Sequence, residues 1–193
     1  NGCLLTTIKT QLAGIHNVYN TLAVVAALNE AGVELKKIAQ YFYPFTGMGR
    51  RFQKVCEFNG ITVYDDYAHH PTEIKAALQA AASKFGKENV VAVFQPHRFT
   101  RLQSLWKEFL TAFENAGRVI VTDVYAASED SIEGINGENF AAELSCEYVS
   151  GNMQDVARKL MPSLKKGDVV IGLGAGTITN LGKELCKLET ILR

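Results

Sequence analysis

The sequence lacks most of the features that assign a chain quickly to a class of protein. Its 193 residues hold four cysteines, all far apart and without a C-x-x-C pair. That spacing argues against zinc and against a disulfide framework, and it favours a reducing cytoplasm. No window approaches eighteen consecutive apolar residues, and the first residues carry neither a basic stretch nor an apolar leader. We therefore expect neither a membrane span nor a secretory signal.

Net charge is absent as well, because 20 basic residues balance 20 acidic ones without a long run of either sign. Nothing in that balance favours a nucleic acid or a membrane surface as partner. A small polar ligand suits such a chain better. The length is enough for one domain with its own core and for about forty residues of a neighbouring one.

Two helices are predicted before a domain boundary. Apolar residues at helical spacing run from Val18 to Ala31, with Asn17 as the N-cap and Gly32 just past the end. A shorter helix is predicted in ELKKIAQYF. One proline and two glycines then follow in YPFTGMGRRF, which is typical of a boundary, and we place it near Thr46.

Strands with continuous Val and Ile alternate with helices in the remainder of the chain. The predicted strands are GITVYDD, NVVAVFQ, RVIVTDVY, CEYVS and DVVIGLG, and the predicted helices are residues 71–84, RLQSLWKEFLTAFENA, NFAAELS, MQDVARKLMPSL and NLGKELCKLETIL. This pattern is typical of an α/β fold with a doubly wound, mostly parallel sheet. Ligands bind at the carboxyl ends of such strands. Four polar segments should meet there: DDYAHHP, FQPHRFTR, DVYAASED and GLGAGT.

The segment DDYAHHPTE concentrates ionisable groups at one strand-to-helix turn. Pro71 suits the first turn of a helix, so His70 should lie near the N-cap, where anions are favoured. Alternation along the strand sends Asp65 and Asp66 to opposite sides, so at most one faces the ligand. The alternative is a capping and turn cluster with solvated aspartates. Zinc is disfavoured because adjacent histidines rarely converge on one ion.

The segment FQPHRFTR carries two arginines three residues apart. If the helix has begun by Arg98, that residue and Arg101 project from one face and can clamp a carboxylate or a phosphate. The alternative is two solvated arginines on an exposed first turn. Cations at a helix N-terminus oppose the dipole, and that local cost favours an anionic ligand.

Three further segments allow both a functional and a structural interpretation. IGLGAGTITNLG does not match the dinucleotide pattern G-x-G-x-x-G, and it predicts either a backbone approach to a ligand or a structural turn. Asn17 and Asn20 could present amides to a flat heterocycle, or be a cap and a surface residue. Arg50 and Arg51 follow two glycines, where they could reach a phosphate or form a linker salt bridge.

Taken together and in order, these motifs resemble the carboxyl-terminal portion of the bacterial Mur ligases. The motifs are GIHNVYNTLAVVAAL, GMGRRFQ, VYDDYAHHPTEIKAAL, VFQPHRFTR, VYAASED and GAGTI. The pair DDYAHHPTE and FQPHRFTR resembles the members that add L-alanine, whereas the related murein tripeptide recycling ligase resembles only the first motif. The family has three domains, and the sequence lacks the phosphate-loop motif of the central one. The resemblance implies that residues 1–46 are the tail of the central ATPase domain and that 47–193 form the Rossmann-like carboxyl-terminal domain.

The resemblance also implies ligands and site residues. The ligands would be ATP, L-alanine and UDP-N-acetylmuramate, with magnesium held largely by residues outside this chain. His16, Asn17 and Asn20 resemble the adenine-side residues, while Arg51 resembles the hinge arginine that reaches the γ-phosphate and Asp66 the acid that contacts the ribose. The amino-acid site would comprise Tyr67, His69, His70, Arg98, Arg101, Gly174 and Thr177. One of the two histidines would be catalytic together with Arg51, and the resemblance does not decide which.

The implied activity is a cytoplasmic step in cell-wall peptidoglycan synthesis. ATP activates the muramyl carboxylate as an acyl phosphate, which the alanine amine then attacks. A neutral histidine near a helix N-terminus could accept the ammonium proton. Without the upstream domains we expect no turnover from this chain. A stand-alone module that binds a nucleotide or an amino acid without catalysis is the alternative from another class.

Overall fold

The computed structural model describes residues 4–12, 14–45 and 48–192, and in it the chain separates into two units, Asn1–Gly49 and Arg50–Arg193. Thr46 and Gly47, where we expected the boundary, lie outside the described residues. Contacts among the residues on either side place the boundary between Gly49 and Arg50. Each unit is built from its own elements.

The first unit contains two helices, α1 (Ile15–Glu30) and α2 (Leu35–Phe42). The N-cap of α1 is Gly14 and not the predicted Asn17, because Gly14 adopts a φ of 93° and turns the chain into the helix three residues earlier. Gly32 lies past the end with a φ of 84°, as expected of a residue that ends a helix. Among the described helices, none is long and apolar enough to cross a membrane.

The second unit is organised around a six-stranded sheet in the order β1-β2-β6-β3-β4-β5. Its strands are β1 (Gln53–Phe58), β2 (Ile61–Asp66), β3 (Val90–Phe94), β4 (Arg118–Thr122), β5 (Glu147–Val149) and β6 (Val169–Leu173). β1 runs antiparallel to β2, and every other neighbouring pair is parallel. The expected mostly parallel sheet is therefore confirmed.

Helices cover both faces of this sheet. They are α3 (Pro71–Phe85), α4 (Phe99–Ser104), α5 (Trp106–Leu110), α6 (Gly137–Leu144), α7 (Met153–Leu160) and α8 (Leu181–Leu192). Along β3, Phe94 points into the core under α3 to α6, while Val91 and Val93 point into the core under α7 and α8. Both cores are apolar, which is why β3 reads as an uninterrupted apolar run. The doubly wound α/β class is confirmed.

Two elements differ from the sequence prediction. β1 was not predicted, because Lys54 and Glu57 interrupt QKVCEF at the edge of the sheet and leave no apolar run. The single helix expected over 101–116 is instead the two short helices α4 and α5, which break at Leu105 with φ −115° and ψ 21°. No glycine or proline marks that break in the sequence.

Cys56 in β1 and Cys186 in α8 form a disulfide, with Cα atoms 6.7 Å apart. This corrects the expectation that the cysteines are unpaired. The two residues are 130 positions apart, so sequence spacing carries no sign of their proximity. They meet because α8 packs closely on β1, where a Cβ at Gly182 would lie 2.9 Å from Val55. Cys146 is free and half-buried, and burial raises the pKa of its thiol to about 11.

Candidate functional site

The carboxyl ends of β2, β3, β4 and β6 meet at one edge of the sheet, which we call the rim. Gly174 N donates to Asp66 O at 3.1 Å, and Gln95 N donates to Leu173 O at 3.0 Å, so three strands end at one level. A parallel bridge between His97 and Tyr125 brings in the segment after β4. The rim therefore gathers all four polar segments predicted from the sequence.

The two adjacent histidines have different surroundings. His70 is the N-cap of α3, and its exposed ring accepts a hydrogen bond from Thr72 N at 3.3 Å. His69 is half-buried; its Nδ1 lies 2.9 Å from Tyr67 O, and its ring centroid lies 6.1 Å from that of His97. A carbonyl oxygen only accepts, so Nδ1 of His69 carries the proton and a neutral ring leaves Nε2 as an acceptor. His69 is thus the histidine within the side-chain cluster at the rim.

His97 lies at the centre of that cluster, and the sequence analysis did not single it out. Its ring stacks on Tyr125 with centroids 5.4 Å apart, and its Nδ1 lies 3.1 Å from Arg101 NH1. Burial lowers the pKa of His97, and electrostatic interactions with Arg101, His69 and Arg98 lower it further against the opposing effect of Glu129. The signal was present in FQPHRFTR, where His97 precedes the two arginines.

Arg98 and Arg101 do not project from one helical face. The prediction that they would do so required the helix to have begun by Arg98. α4 begins only at Phe99, and Arg98 precedes it with a φ of 72°. The Arg98 side chain is half-exposed, and its Nε lies 3.9 Å from Glu129 Oε1. Arg101 is turned back toward His97. Both guanidinium groups act electrostatically on that imidazole, so the structure brings them to the same cluster by different routes.

Arg50 and Arg51 also differ in role. Arg50 donates from Nε to Asp65 Oδ2 at 3.1 Å and from NH2 to Gly174 O at 2.7 Å, which makes it a structural clamp. Arg51 has a side chain that is 50% exposed and lies over the ring of Tyr67, 5.6 Å from its centroid. Of the two, Arg51 is the arginine that a ligand can reach.

Glu73 connects Arg51 with His69, and the sequence analysis also passed over it. Its Oε2 accepts from His69 N at 3.1 Å, and its Oε1 lies 3.7 Å from Arg51 NH1. Burial on its own would raise the pKa of Glu73, but the backbone N–H and ring of His69 together with Arg51 outweigh it and lower the pKa. Glu73 is therefore a carboxylate held ionised between two candidate site residues.

Asp65 and Asp66 take different hydrogen-bond partners, and neither is solvated, contrary to the structural alternative. Both are only 6% exposed. Asp66 accepts from Phe52 N at 2.7 Å and from Ala68 N at 2.8 Å, and burial raises its pKa despite these bonds. Asp65 accepts from Thr179 Oγ1 at 2.7 Å as well as from Arg50. Asp66 therefore fixes backbone at the rim, while Asp65 joins the side chains of Arg50 and Thr179.

The turn Gly174–Thr177 after β6 is held by the buried side chain of Gln95. Nε2 of Gln95 donates to Thr177 Oγ1 at 2.9 Å, and its Oε1 accepts from Ile178 N at 2.9 Å. Gly174 has a φ of 145°, and a Cβ at Gly176 would lie 2.5 Å from Tyr125 Cγ. Small residues in the turn are therefore required for close packing at the rim.

His16, Asn17 and Asn20 lie on α1 in the first unit, where His16 and Asn20 are exposed. Asn17 and Asn20 are three residues apart within the helix and so share a face. Their assignment to an adenine base stays a prediction. Among residues 4–12, 14–45 and 48–192, no group of three or more His, Cys, Asp or Glu side chains lies close enough to hold a metal ion.

Comparisons with known proteins assign this chain to a family. The family model described as "Mur ligase, glutamate ligase domain" matches residues 50–176. A UDP-N-acetylmuramate–L-alanine ligase of Caldicellulosiruptor bescii is 48% identical over 183 residues, which cover 92% of this chain and 40% of that protein. The chain thus spans about two fifths of the length of the curated relatives it matches.

Solved structures agree with the family match. The UDP-N-acetylmuramate–alanine ligase of Thermotoga maritima matches with a TM-score of 0.82 and 28% identity, over 100% of this chain and 42% of that one. The MurF ligase of the same organism, solved in complex with ADP, shares the fold with a TM-score of 0.65 and 18% identity, over 97% of this chain and 42% of that one. The chain therefore belongs to the Mur ligase family, and its second unit is the carboxyl-terminal domain of that family.

Proposed function

We propose that this chain is the carboxyl-terminal part of an ATP-dependent ligase that joins L-alanine to UDP-N-acetylmuramate during peptidoglycan precursor synthesis in the cytoplasm. The observation that carries the proposal is the cluster at the rim, in which His97 lies among His69, Arg98 and Arg101. Similarity to L-alanine ligases supports the choice of substrate.

The cluster suits a small zwitterion. An amino acid needs a cation for its carboxylate and a neutral base for its ammonium group. Arg101 and Arg98 supply guanidinium groups, which pair with carboxylates through parallel hydrogen bonds. His69 supplies an imidazole whose Nε2 is an acceptor while Nδ1 donates to Tyr67 O. Holding the amine close to an acyl carbon replaces a bimolecular encounter by an oriented one, which lowers the activation barrier by several kcal/mol.

ATP would lie toward Arg51 in this proposal, and the assignment of His16, Asn17 and Asn20 to its adenine base is a separate prediction about the first unit. When bound, ATP supplies the phosphoryl group that activates the carboxylate as an acyl phosphate. The exposed guanidinium of Arg51 fits the growing negative charge of that group. Asp66 is less available to bind the ribose hydroxyl groups, because both of its carboxylate oxygens already accept from backbone N–H groups. We place the magnesium ligands in the upstream domains.

His69 would take the proton that the alanine ammonium loses before attack. Its orientation is fixed at Nδ1, which lies 2.9 Å from Tyr67 O and 3.4 Å from Glu73 Oε2. A carboxylate beside the protonated Nδ1 stabilises the imidazolium that forms when Nε2 accepts a proton. Glu73 also lies near Arg51, so one carboxylate contacts both the proposed proton acceptor, His69, and the arginine proposed to face the phosphoryl group.

The first unit would be the tail of the central ATPase domain, and the upstream domains of the same enzyme would be its partners. α1 exposes many large apolar side chains for a helix of 16 residues, among them Ile15, Val18, Tyr19, Leu22, Val24 and Leu28. A groove of about 460 Å³ within this unit is lined by Val24, Leu28, Ile38, Tyr41, Phe42 and Phe45. Such surfaces are normally covered by further protein.

The test joins this chain to the upstream domains of the C. bescii relative and measures alanine-dependent phosphate release. Arg98→Ala and Arg101→Ala should each raise the alanine KM by about tenfold or more and leave the ATP KM unchanged. Arg158→Ala is the matched control, because Arg158 is an exposed arginine on α7, away from the rim.

Two outcomes would contradict the proposed L-alanine site, and a third would contradict catalysis. One is an unchanged alanine KM together with a collapse in ATP affinity, which would move the arginines to the nucleotide. The other is a preference for L-alanyl-γ-D-glutamyl-meso-diaminopimelate over L-alanine, which would make the chain part of a murein tripeptide recycling ligase. A chimera that binds alanine and ATP without releasing phosphate would favour a non-catalytic module.

A further inference from the structure

We propose that His97 is a positioning residue that holds Arg101 in its carboxylate-binding orientation and releases it when the imidazole takes up a proton. The inference rests on the proposed amino-acid site. It goes beyond that site because it assigns a role to a residue that acts on the substrate through another side chain, Arg101.

The contact between the two side chains determines the protonation state of the imidazole. Arg101 NH1 lies 3.1 Å from His97 Nδ1 and 3.3 Å from His97 O. A guanidinium group has only donors, so both contacts require acceptors. Nδ1 must therefore carry a free lone pair, and the ring is neutral with its proton on Nε2. Two hydrogen bonds from one nitrogen to one residue fix the direction in which Arg101 points.

The imidazole itself is held by the strand ends. It stacks on Tyr125 with an interplanar angle of 21°. Tyr125 N donates to Pro96 O at 2.8 Å, and Arg98 N donates to Tyr125 O at 2.9 Å, so backbone bonds on both sides of His97 join β3 to the segment after β4. His97 therefore cannot follow Arg101 if the guanidinium turns away.

The charges around His97 oppose its protonation. Arg101, Arg98 and His69 face it with positive or potentially positive charge, and Glu129 is the one carboxylate among the groups that act on it. The pKa of His97 is lowered by burial first and by these cations next. Near neutral pH the ring accepts from Arg101. In mild acid the imidazolium would lose the acceptor lone pair and repel the guanidinium.

The consequence is an amino-acid site whose affinity for a carboxylate depends on one imidazole. As the pH falls through the pKa of His97, the alanine KM should rise because Arg101 loses its support. A merely structural role, in which His97 fills space against Tyr125, predicts no such dependence. The two roles can be separated by replacing the ring with another ring or with another acceptor.

The first experiment follows the histidine ring signals of the 193-residue chain by NMR as a function of pH. His97→Gln identifies the His97 signal by its disappearance. In the parent chain we expect the pKa of His97 to lie below about 6.5, the ordinary value. Arg101→Gln should raise it toward that value, while Arg158→Gln on the exposed face of α7 should leave it unchanged. An Arg101→Gln chain in which the pKa of His97 does not move would overturn the proposal.

The second experiment uses the chain joined to the upstream domains, with alanine KM measured from pH 5.5 to about 8, a range that spans the ordinary histidine pKa. His97→Phe keeps a stacked ring without the acceptor and should raise the alanine KM by about tenfold at neutral pH, with the ATP KM unchanged. His97→Gln keeps an acceptor oxygen that does not titrate in this range. It should retain a near-parental KM at neutral pH and lose the rise in acid.

The outcomes separate this inference from the proposed function. If Arg101→Ala leaves the alanine KM unchanged, the amino-acid site itself is wrong. If Arg101→Ala raises it while His97→Phe behaves as the parent at every pH, the site stands and the positioning role of His97 is wrong.

Discussion

Gln95 and Asp66 hold the rim together through buried hydrogen bonds. Gln95, only 4% exposed, joins the end of β3 to Thr177 and Ile178, while Asp66 joins the end of β2 to Phe52. Buried polar groups of this kind are expensive to leave without partners, so each fixes its segment firmly. Gln95, which has no proposed ligand contact, thereby positions Thr177, which has one.

Replacing Gln95 by alanine should destabilise the chain. Ile178 N would lose its acceptor in a buried position, which costs about 1–3 kcal/mol of unfolding free energy. Urea unfolding of the chain measures this directly. Gln79→Ala is the matched control, because Gln79 is exposed on α3 and its loss should change stability by less than about 0.5 kcal/mol. Equal unfolding free energies for the two variants would show that the Gln95 bonds contribute nothing.

The lowered pKa of His97 predicts how stability depends on pH. Between the folded pKa and about 6.5, the unfolded chain binds more protons at this residue than the folded one, so stability rises with pH across that window. The contribution is fully present above about pH 6.5 and is lost as the pH falls toward the folded pKa. Urea midpoints from pH 5.5 to about 7.5 should therefore fall more steeply in acid for the parent than for His97→Gln, and parallel curves would contradict the assignment.

At the scale of single elements, the pair formed by β1 and α8 closes the edge of the sheet. β1 is the antiparallel edge strand, and the disulfide between Cys56 and Cys186 ties it to the last helix. Because Gly182 has no side chain, α8 packs closer to Val55 than a larger residue at this position would allow. Almost the whole second unit lies within the loop that this bond closes.

Reduction of that disulfide should lower the unfolding free energy by about 4–5 kcal/mol, because a cross-link over more than 100 residues strongly restricts the unfolded chain. Urea unfolding with and without a reductant measures the difference. A double variant, Cys56→Ser with Cys186→Ser, should be insensitive to reductant and match the reduced parent. A count of four free thiols in the unreduced, unfolded chain would contradict the bond.

Helices and strands could be predicted where a local sequence signal marks them. β3 and β6 are buried on both faces and read as continuous apolar runs, while Pro71 marked the start of α3. β1 has no such run, and the break at Leu105 has no local signal. The rim could be placed from strand ends alone. The role of Gln95 could not, since it depends on contacts with Thr177 and Ile178, more than 80 residues away. Glu73 and His97 lie four residues from His69 and Arg101, but sequence spacing alone does not show which way these side chains turn.

At the scale of the whole molecule, the second unit contains two apolar cores, one on each face of its sheet. All the side chains buried in those cores belong to residues 58–185, so the unit has what a domain needs to fold independently. The first unit has α1, whose apolar side chains are exposed.

Residues 50–193 expressed alone should unfold in one cooperative transition, with a midpoint equal to that of the main transition of the 193-residue chain. Removing the exposed apolar side chains of α1 should also reduce self-association. Calorimetry and size-exclusion chromatography measure the two effects. Absence of a cooperative transition in residues 50–193 would show that this unit does not fold without residues 1–49.

The position of β6 in the sheet has a consequence during synthesis. β6 lies between β2 and β3, so the strand that joins the two halves of the sheet is the last to leave the ribosome. Until residues 169–173 have emerged, the nascent chain carries two inner strand edges with unpaired backbone groups. A product that stops before Val169 would keep both edges open, and we expect it to depend on chaperones and to aggregate rather than fold in part.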